Sequence, residues 1–519
     1  MKKKNNQAIF KPYTQQQLLL PMKLEEAIPE KHLVRVVNQV IDEMDIEPVL
    51  KQYKGGGTSS YHPRMMLKIL IYAYTQKTFS SRAIAKAIRE NINYMWLSGG
   101  NTPNFRTINR FRGKILGEVI DEVFVEVLDY MNESGYIKLE NYFIDGTKIE
   151  ANANRYSFVW RKSTANYQRK LREKVQELMD EVERVNAEED ERYGDKDLEE
   201  LGEEAEIDSQ GLRDLAKRLN EKLKSKPKDK QLKKAVKKLK RDFIPRMEKY
   251  ERYEETFEGR NSFSKTDEEA TFMCMKEDHM RNRKLKPGYN VQIGTEGQFV
   301  IGYSIHQKPG DSPCLIPHME KIRAQLGRMP DKVIADAGYG SEENYAYLAE
   351  NGVAAYVKYS TYDREQKKRR KIPERETYWA SNWKHDELRD EIVCPQGKRL
   401  VYEKTRSVRT ENGYLTKRRV YHCDECGGCP VREQCTQSKY GRRPMLSMRL
   451  RQFRTTATKR LLSREGKQLR SQRLIEAEAV FGRLKHNWGF RRFLLRGLKN
   501  VNTEWGLLCM AHNMAKLAV

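Results

Sequence analysis

Asp145, Asp336 and Glu478 are the side chains of this 519-residue chain with the best claim to chemistry. Asp145 closes the run Tyr142-Phe143-Ile144 and precedes Gly146; Asp336 closes Lys332-Val333-Ile334-Ala335 and precedes Ala337-Gly338. Each follows a short apolar stretch that reads as a buried strand, and is expected at the strand's carboxyl end. Carboxylates at adjacent strand ends repel unless a cation lies between them. A few hard oxygen ligands favour Mg²⁺ or Mn²⁺, ions that keep waters and take phosphate oxygens. Taken singly, either aspartate would serve as a turn former or helix cap. Glu478 is marked differently. Leu474, Glu478, Phe481 and Lys485 recur at helical intervals and are expected to line one helix face, with Glu476 turned to solvent. A glutamate on an apolar face needs a cation or hydrogen bonds, and Lys485, two turns on, suits a scissile phosphate. A structural salt bridge would satisfy Glu478 equally. Asp311 is a rival acid, but Gly310-Asp311-Ser312-Pro313 reads more simply as a helix cap.

Cysteines form the second cluster. Cys394, Cys423, Cys426, Cys429 and Cys435 fall within 42 residues. In a chain whose Met1–Lys4 start leads into polar residues and does not read as an export signal, thiols stay reduced, and clustering points to metal. C-x2-C spacing lets thiolates reach one tetrahedral Zn²⁺. The favoured ligands are Cys394, Cys426, Cys429 and Cys435, with Cys423 as substitute and a structural role for the ion; free thiols in a loop are the alternative. Trp379 and Trp383 lie in the same stretch and suit packing or stacking on a base.

The elements that must position these groups divide the chain. Residues 1–135 read as helical: Met66, Ile69, Leu70 and Ala73 keep helical spacing, as do Ala83, Ile84, Ala87 and Ile88 after a cap at Ser80 or Ser81. Ser98-Gly99-Gly100 makes a turn, and Thr102-Pro103 is expected to open a helix bearing Arg106, Arg110 and Arg112. Helix, turn and basic helix outline a DNA-reading unit, or a plain helical bundle. Residues 136–160 hold the first strand. In 161–284, Leu171, Val175, Leu178, Val182 and Val185 form a heptad seam that Leu232, Val236, Leu239 and Phe243 resume, predicting two antiparallel helices. Twelve acids against two bases in 188–208, and eleven bases against one acid in 222–241, answer each other across this insertion. Residues 285–360 return to strands, with a hairpin at Tyr289–Ile293 and Phe299–Tyr303 bounded by Gly294 and Gly297, then the second aspartate. Residues 361–440 are polar and cysteine-bearing, and 441–519 are helical. Strands broken by helices make the chain α/β after an all-α start.

The charge balance narrows the partner. The net charge is +25, yet between Lys439 and Lys499 eighteen Lys/Arg face three acids. This block also holds Phe481, Trp488, Phe490 and Phe493, which a solvated tail would not need. A folded basic surface of this kind suits a nucleic acid. The longest apolar stretches are broken by charge well short of the ~20 residues of a membrane span.

Four segments in order carry a family resemblance: Phe143-Ile144-Asp145-Gly146-Thr147 with Asn152 and Asn154; Tyr289-Asn290-Val291-Gln292; Ala335-Asp336-Ala337-Gly338-Tyr339; and Glu478-x-x-Phe481-Gly482-x-x-Lys485, with Arg496-Gly497 and Cys509-Met510-Ala511-His512-Asn513 beyond. From about residue 15 onward the chain resembles bacterial insertion-sequence transposases of the DDE type. The resemblance implies an RNase H-like core, interrupted by the helical and cysteine-rich insertions and preceded by the helical domain. It implies two divalent metals held by Asp145, Asp336 and Glu478, nicking at terminal inverted repeats, and transesterification of 3′-hydroxyl ends into target DNA. Lys485 would contact phosphate, with Arg106, Arg110, Arg112, Arg491, Arg492 and Arg496 as further DNA contacts. Double-stranded DNA, a homodimer on it, and a cytoplasmic, nucleoid-associated location follow. Relatives often carry an arginine four residues before the glutamate; here that position is Leu474, and Arg473 is its neighbour. An endonuclease without strand transfer, or a catalytically silent zinc DNA-binding protein derived from a transposase, are the rivals.

Overall fold

A computed structural model describes residues 23–53, 60–193, 207–225, 227–275, 285–366 and 374–518. Its centre is a mixed sheet of five main strands: β1 Asn141–Glu150, β2 Leu285–Glu296, β3 Phe299–His306, β4 Lys332–Ala335 and β5 Ala354–Val357. Their order is β3-β2-β1-β4-β5. β2 is antiparallel to β1 and β3, whereas β4 runs parallel to β1 and β5 parallel to β4. Thr271–Cys274 pairs with the opening residues of β2 and extends the edge that β3 also occupies.

Glycines let two rows of the sheet take a large ring. A Cβ on Gly294 would lie 1.8 Å from the Tyr142 ring, and one on Gly302 would lie 2.4 Å from its hydroxyl. Gly294, expected to bound the hairpin, therefore sits inside β2 opposite Ile144. The turn falls instead at Gly297-Gln298, both at positive φ, as a two-residue turn matched to strand twist requires.

Alternation along β1 separates its faces. Tyr142 bonds to His318 of helix α2 (Leu315–Leu326), which follows helix α1 (Leu116–Glu133) in the chain. Phe143, on the other face, clusters with Leu461 of α3 (Met448–Leu462) and Leu469 of α4 (Arg464–Ile475). Past α5 (Ala477–Gly482), the chain ends its described course in α6 (Leu498–Leu517), buried from Thr503 to Ala515. α6 packs on β3, α1 and the N-terminal helix Pro63–Thr75. One continuous apolar core consequently runs from Ile28 to Ala515, so the N-terminal helices are built into the sheet's packing.

The insertion after β1 has three described helical arms: Arg161–Tyr193, Ser209–Ser225, and a third from Lys230 to Phe257 through a π-helical turn. Leu171, Val175, Leu178 and Val182 pack with Leu212, Leu219, Leu232, Val236 and Phe243. The heptad seam is present from Leu171 to Val182, but it serves a three-helix bundle and not the expected pair, because the connecting stretch forms a helix of its own, Ser209–Ser225, with Leu212, Leu215 and Leu219 buried. Of the acidic block, residues 194–206 lie outside the described residues. Short strands Phe158–Trp160 and Ser262–Ser264 pair at the bundle's base. A second, antiparallel sheet of five strands occupies 384–446 and carries the cysteine cluster. No described helix is long and apolar enough to cross a membrane.

Candidate active site

β1 is longer than expected, and Asp145 lies in its middle rather than at its end. The neighbouring strand explains why this position is open. β4 pairs with β1 only as far as Phe143↔Ile334. Two residues beyond that last pair stand Asp145 on one strand and Asp336 on the other. The parallel register thus carries both aspartates to the same notch, where β1 continues against β2 alone. Asp336 turns out of β4 and accepts the Gly338 N–H at 2.8 Å, which fixes the carboxylate at the notch.

The third acid arrives through a broken helix. α4 and α5 are separated at Glu476, whose ψ of −96° is not helical. α4 packs on β4 and β5, while α5 packs on β1 and β2. Glu476 holds the break by accepting the Gln298 N–H at 2.6 Å, and burial raises its carboxyl pKa. It is therefore not the solvent-facing residue that helical spacing predicts. Nor do Leu474, Glu478, Phe481 and Lys485 share a face: Leu474 is exposed and Phe481 is buried. A π-helical turn at Arg483–Asn487 then widens the register before Lys485. Lys485 is buried and donates to Thr147 at 3.0 Å, on the face of β1 that bears Asp145.

Arg473, at the end of α4, reaches all three acids. Its guanidinium lies 3.4 Å from Asp145 Oδ1, 3.7 Å from Asp336 Oδ2 and 3.2 Å from Glu478 Oε1. The acids grade outward, with side chains 10%, 37% and 46% exposed in that order, so the cluster opens to solvent on the Glu478 side. The helix break at Glu476 lies between Arg473 and Glu478 and sets the angle at which Arg473 meets the acids.

Asp311, whose sequence context suggests a helix cap, stands near the site. Its carboxylate makes no cap bond. It accepts from Asn290 at 2.9 Å and Gln292 at 3.1 Å, and lies beneath Gly146, where a Cβ would meet it at 2.7 Å. Gln292 also accepts from the Tyr339 hydroxyl. Burial raises the Tyr339 pKa well above the ordinary value, and the charges of Asp311, Asp145 and Asp336 add to it. The spacing of two amides, Asn290 and Gln292, on one strand face was the available signal.

The basic residues divide by environment. Arg106 and Arg110 are exposed on a helix that begins at Phe105, capped by Asn104 rather than by Thr102. Arg112 is buried and donates to Phe79 O at 2.8 Å and to the Tyr74 hydroxyl at 3.1 Å. It holds the N-terminal helices together and does not face a ligand, which corrects its reading as a DNA contact. Arg491, Arg492 and Arg496 are exposed but laced to β1's far end: Arg492 donates to Ala153 O at 3.1 Å and Arg496 to Asn152 O at 2.7 Å.

Cys394, Cys423, Cys426, Cys429 and Cys435 line one small cavity beside Trp383. All five are free thiols. Burial pushes the Cys423 thiol up to about 11 and raises that of Cys435. Trp383 is buried and Trp379 is 45% exposed. Among the described residues, no group of three or more acids, cysteines or histidines stands close enough, as placed, to share a metal ion.

Two family models match the chain. Residues 22–114 match one described as "Transposase domain (DUF772)", and residues 393–518 match one described as "Transposase DDE domain". The second contains Arg473, Glu478, Lys485 and the cysteine cluster; Asp145 and Asp336 lie upstream of it. No curated protein and no solved structure matches the chain.

Proposed function

We propose that this chain, supported by both family matches as an insertion-sequence DDE transposase, cuts DNA at transposon ends and joins the freed 3′-hydroxyls to target DNA. The observation that carries the reading is the convergence of Asp145, Asp336 and Glu478, from three separate elements, on one cationic group at a notch in the sheet. The sheet order, with β2 alone opposed to the other main strands, supports an RNase H-like core.

Three carboxylates drawn around a guanidinium have the oxygen donors that Mg²⁺ or Mn²⁺ takes, and Asp145, Asp336 and Glu478 are the residues that would hold such ions. When bound, these ions supply charge neutralisation at the phosphate and activation of the attacking hydroxyl. The protein's own part is placement. β1 and the Gly338 N–H hold the two aspartates, and the Glu476–Gln298 bond fixes where Glu478 enters. The surrounding bases lower the cost of bringing a phosphate backbone toward acids. Lys485 lies in a buried row with Thr147, and its reading as a phosphate contact requires that row to open on DNA. Arg106 and Arg110 are suited to terminal repeats, and Arg491, Arg492 and Arg496 to the backbone near the site. Joining two ends calls for a homodimer on DNA.

The thiol cavity suits a structural Zn²⁺: Cys394, Cys426, Cys429 and Cys435 would hold it, with Cys423 as substitute, and the thiols must lose protons to do so. The deciding experiment incubates purified protein, Mg²⁺ and DNA bearing the terminal inverted repeats with a target plasmid. Cleavage followed by joined product is expected. Cleavage without joining would leave an endonuclease, and binding without cleavage a silent DNA-binding protein.

A further inference from the structure

Within that reading, we propose that Arg473 is a built-in counter-ion, holding the place of divalent cations in the acid cluster until they displace it. Ion binding and departure of the guanidinium are then one exchange. Three features of the structure support this. One guanidinium lies within ion-pairing distance of all three acids, at 3.2–3.7 Å. Its Nε is buried without a hydrogen-bond partner, so the pose sacrifices one donor to turn both terminal nitrogens on the acids. With the guanidinium among them, no three of the described acids stand close enough to share an ion, so in this scheme ion entry both replaces the side chain and draws the acids inward.

The helix break makes that withdrawal possible. Arg473 belongs to α4 and Glu478 to α5, and the two meet at the non-helical Glu476. Were they on one continuous helix, moving the arginine's turn would drag the glutamate with it. As built, Glu478 stays tied to β1 and β2 while the long arginine side chain swings toward the exposed side of the cluster. Without ions, the same side chain relieves the repulsion of three converging carboxylates. Arg473 is a positioning residue in this scheme, acting on the acids and not on the phosphate.

The test is Mn²⁺ binding to the full chain, without DNA, followed calorimetrically and by electron paramagnetic resonance, together with thermal melts. Arg473→Ala and Arg473→Gln are expected to bind Mn²⁺ roughly tenfold more tightly than the parent, and Arg473→Lys within about twofold of it. The Ala and Gln variants should melt lower without ions and regain more on adding Mn²⁺. Unchanged or weaker Mn²⁺ binding in folded Ala and Gln variants, with the parent still binding, overturns the counter-ion role alone. If Asp145→Asn leaves Mn²⁺ binding intact, or no form binds Mn²⁺, the acid cluster itself is misread and the functional reading falls with it.

Discussion

Two clusters of like groups sit on different sheets of this chain, and they solve crowding differently. At the sheet notch three carboxylates gather around a guanidinium supplied from the same polypeptide. In the antiparallel sheet five thiols line one cavity, with burial keeping the Cys423 proton on. Thiols crowd without a counter-charge because they can stay neutral; carboxylates at neutral pH cannot.

The sharpest way to break this contrast is to neutralise the acids. Asp145→Asn, Asp336→Asn and Glu478→Gln should each lower DNA cleavage by about 10³-fold or more while terminal-repeat binding holds, measured on radiolabelled ends. Cleavage near the parent rate in all three would remove the notch from the chemistry. The thiols should behave oppositely. Cys426→Ser combined with Cys435→Ser, or a strong chelator, should destabilise the 384–446 sheet by several kcal/mol in zinc-loaded protein. Elemental analysis without zinc in reduced protein would dissolve that half of the contrast.

pH distinguishes the clusters more gently. The folded pKa of Cys423 is raised to about 11 from 9.0. A raised thiol pKa contributes stability below the unfolded value, lost as pH rises through the folded one. Zinc-free protein should therefore lose melting temperature between pH 9 and 11, and zinc-loaded protein, whose thiols have already given up their protons, should lose less. The smallest effect belongs to folding of the acid site. Asp336→Asn or Glu478→Gln, on the exposed side of the cluster, should alter stability by less than about 1 kcal/mol, because the two remaining acids keep Arg473 paired. A larger loss on urea titration would mean that the trio holds the fold together.

Much of this arrangement was readable from residue order. The apolar runs before Asp145 and Asp336 mark strands, but only the second aspartate stands at an exit, because β1 runs on through Gly146 to Glu150. The thiol grouping follows from the density of cysteines in 394–435, with C-x2-C spacing among Cys423, Cys426 and Cys429. Helical arithmetic failed where a helix is not continuous: the break at Glu476 and the π turn at 483–487 undo the face that Leu474, Glu478, Phe481 and Lys485 would share. The same break sets the angle at which Arg473 meets the acids. Arg112 suggests a DNA contact from its place on a basic helix, but four acceptors, on Tyr74, Phe79, Ser81 and Asn109, draw it inside. Asp311 was hidden because its partners, Asn290 and Gln292, are distant in sequence and meet it only across the sheet.

The short pairing of Phe158–Trp160 with Ser262–Ser264 has a consequence for how the molecule assembles. β1 and β2 are neighbours in space, yet more than a hundred residues separate them in the chain. Loop closure over such a span carries an entropic cost that grows by about 0.6 kcal/mol for each doubling of length. A helical bundle of local contacts that closes on itself early, with that ribbon as its clasp, shortens the span still to be closed to a few tens of residues. The search for the central strand pair then resembles that of a much smaller protein. The bundle can lengthen or shorten at its far end without altering where Asp145 meets Asp336.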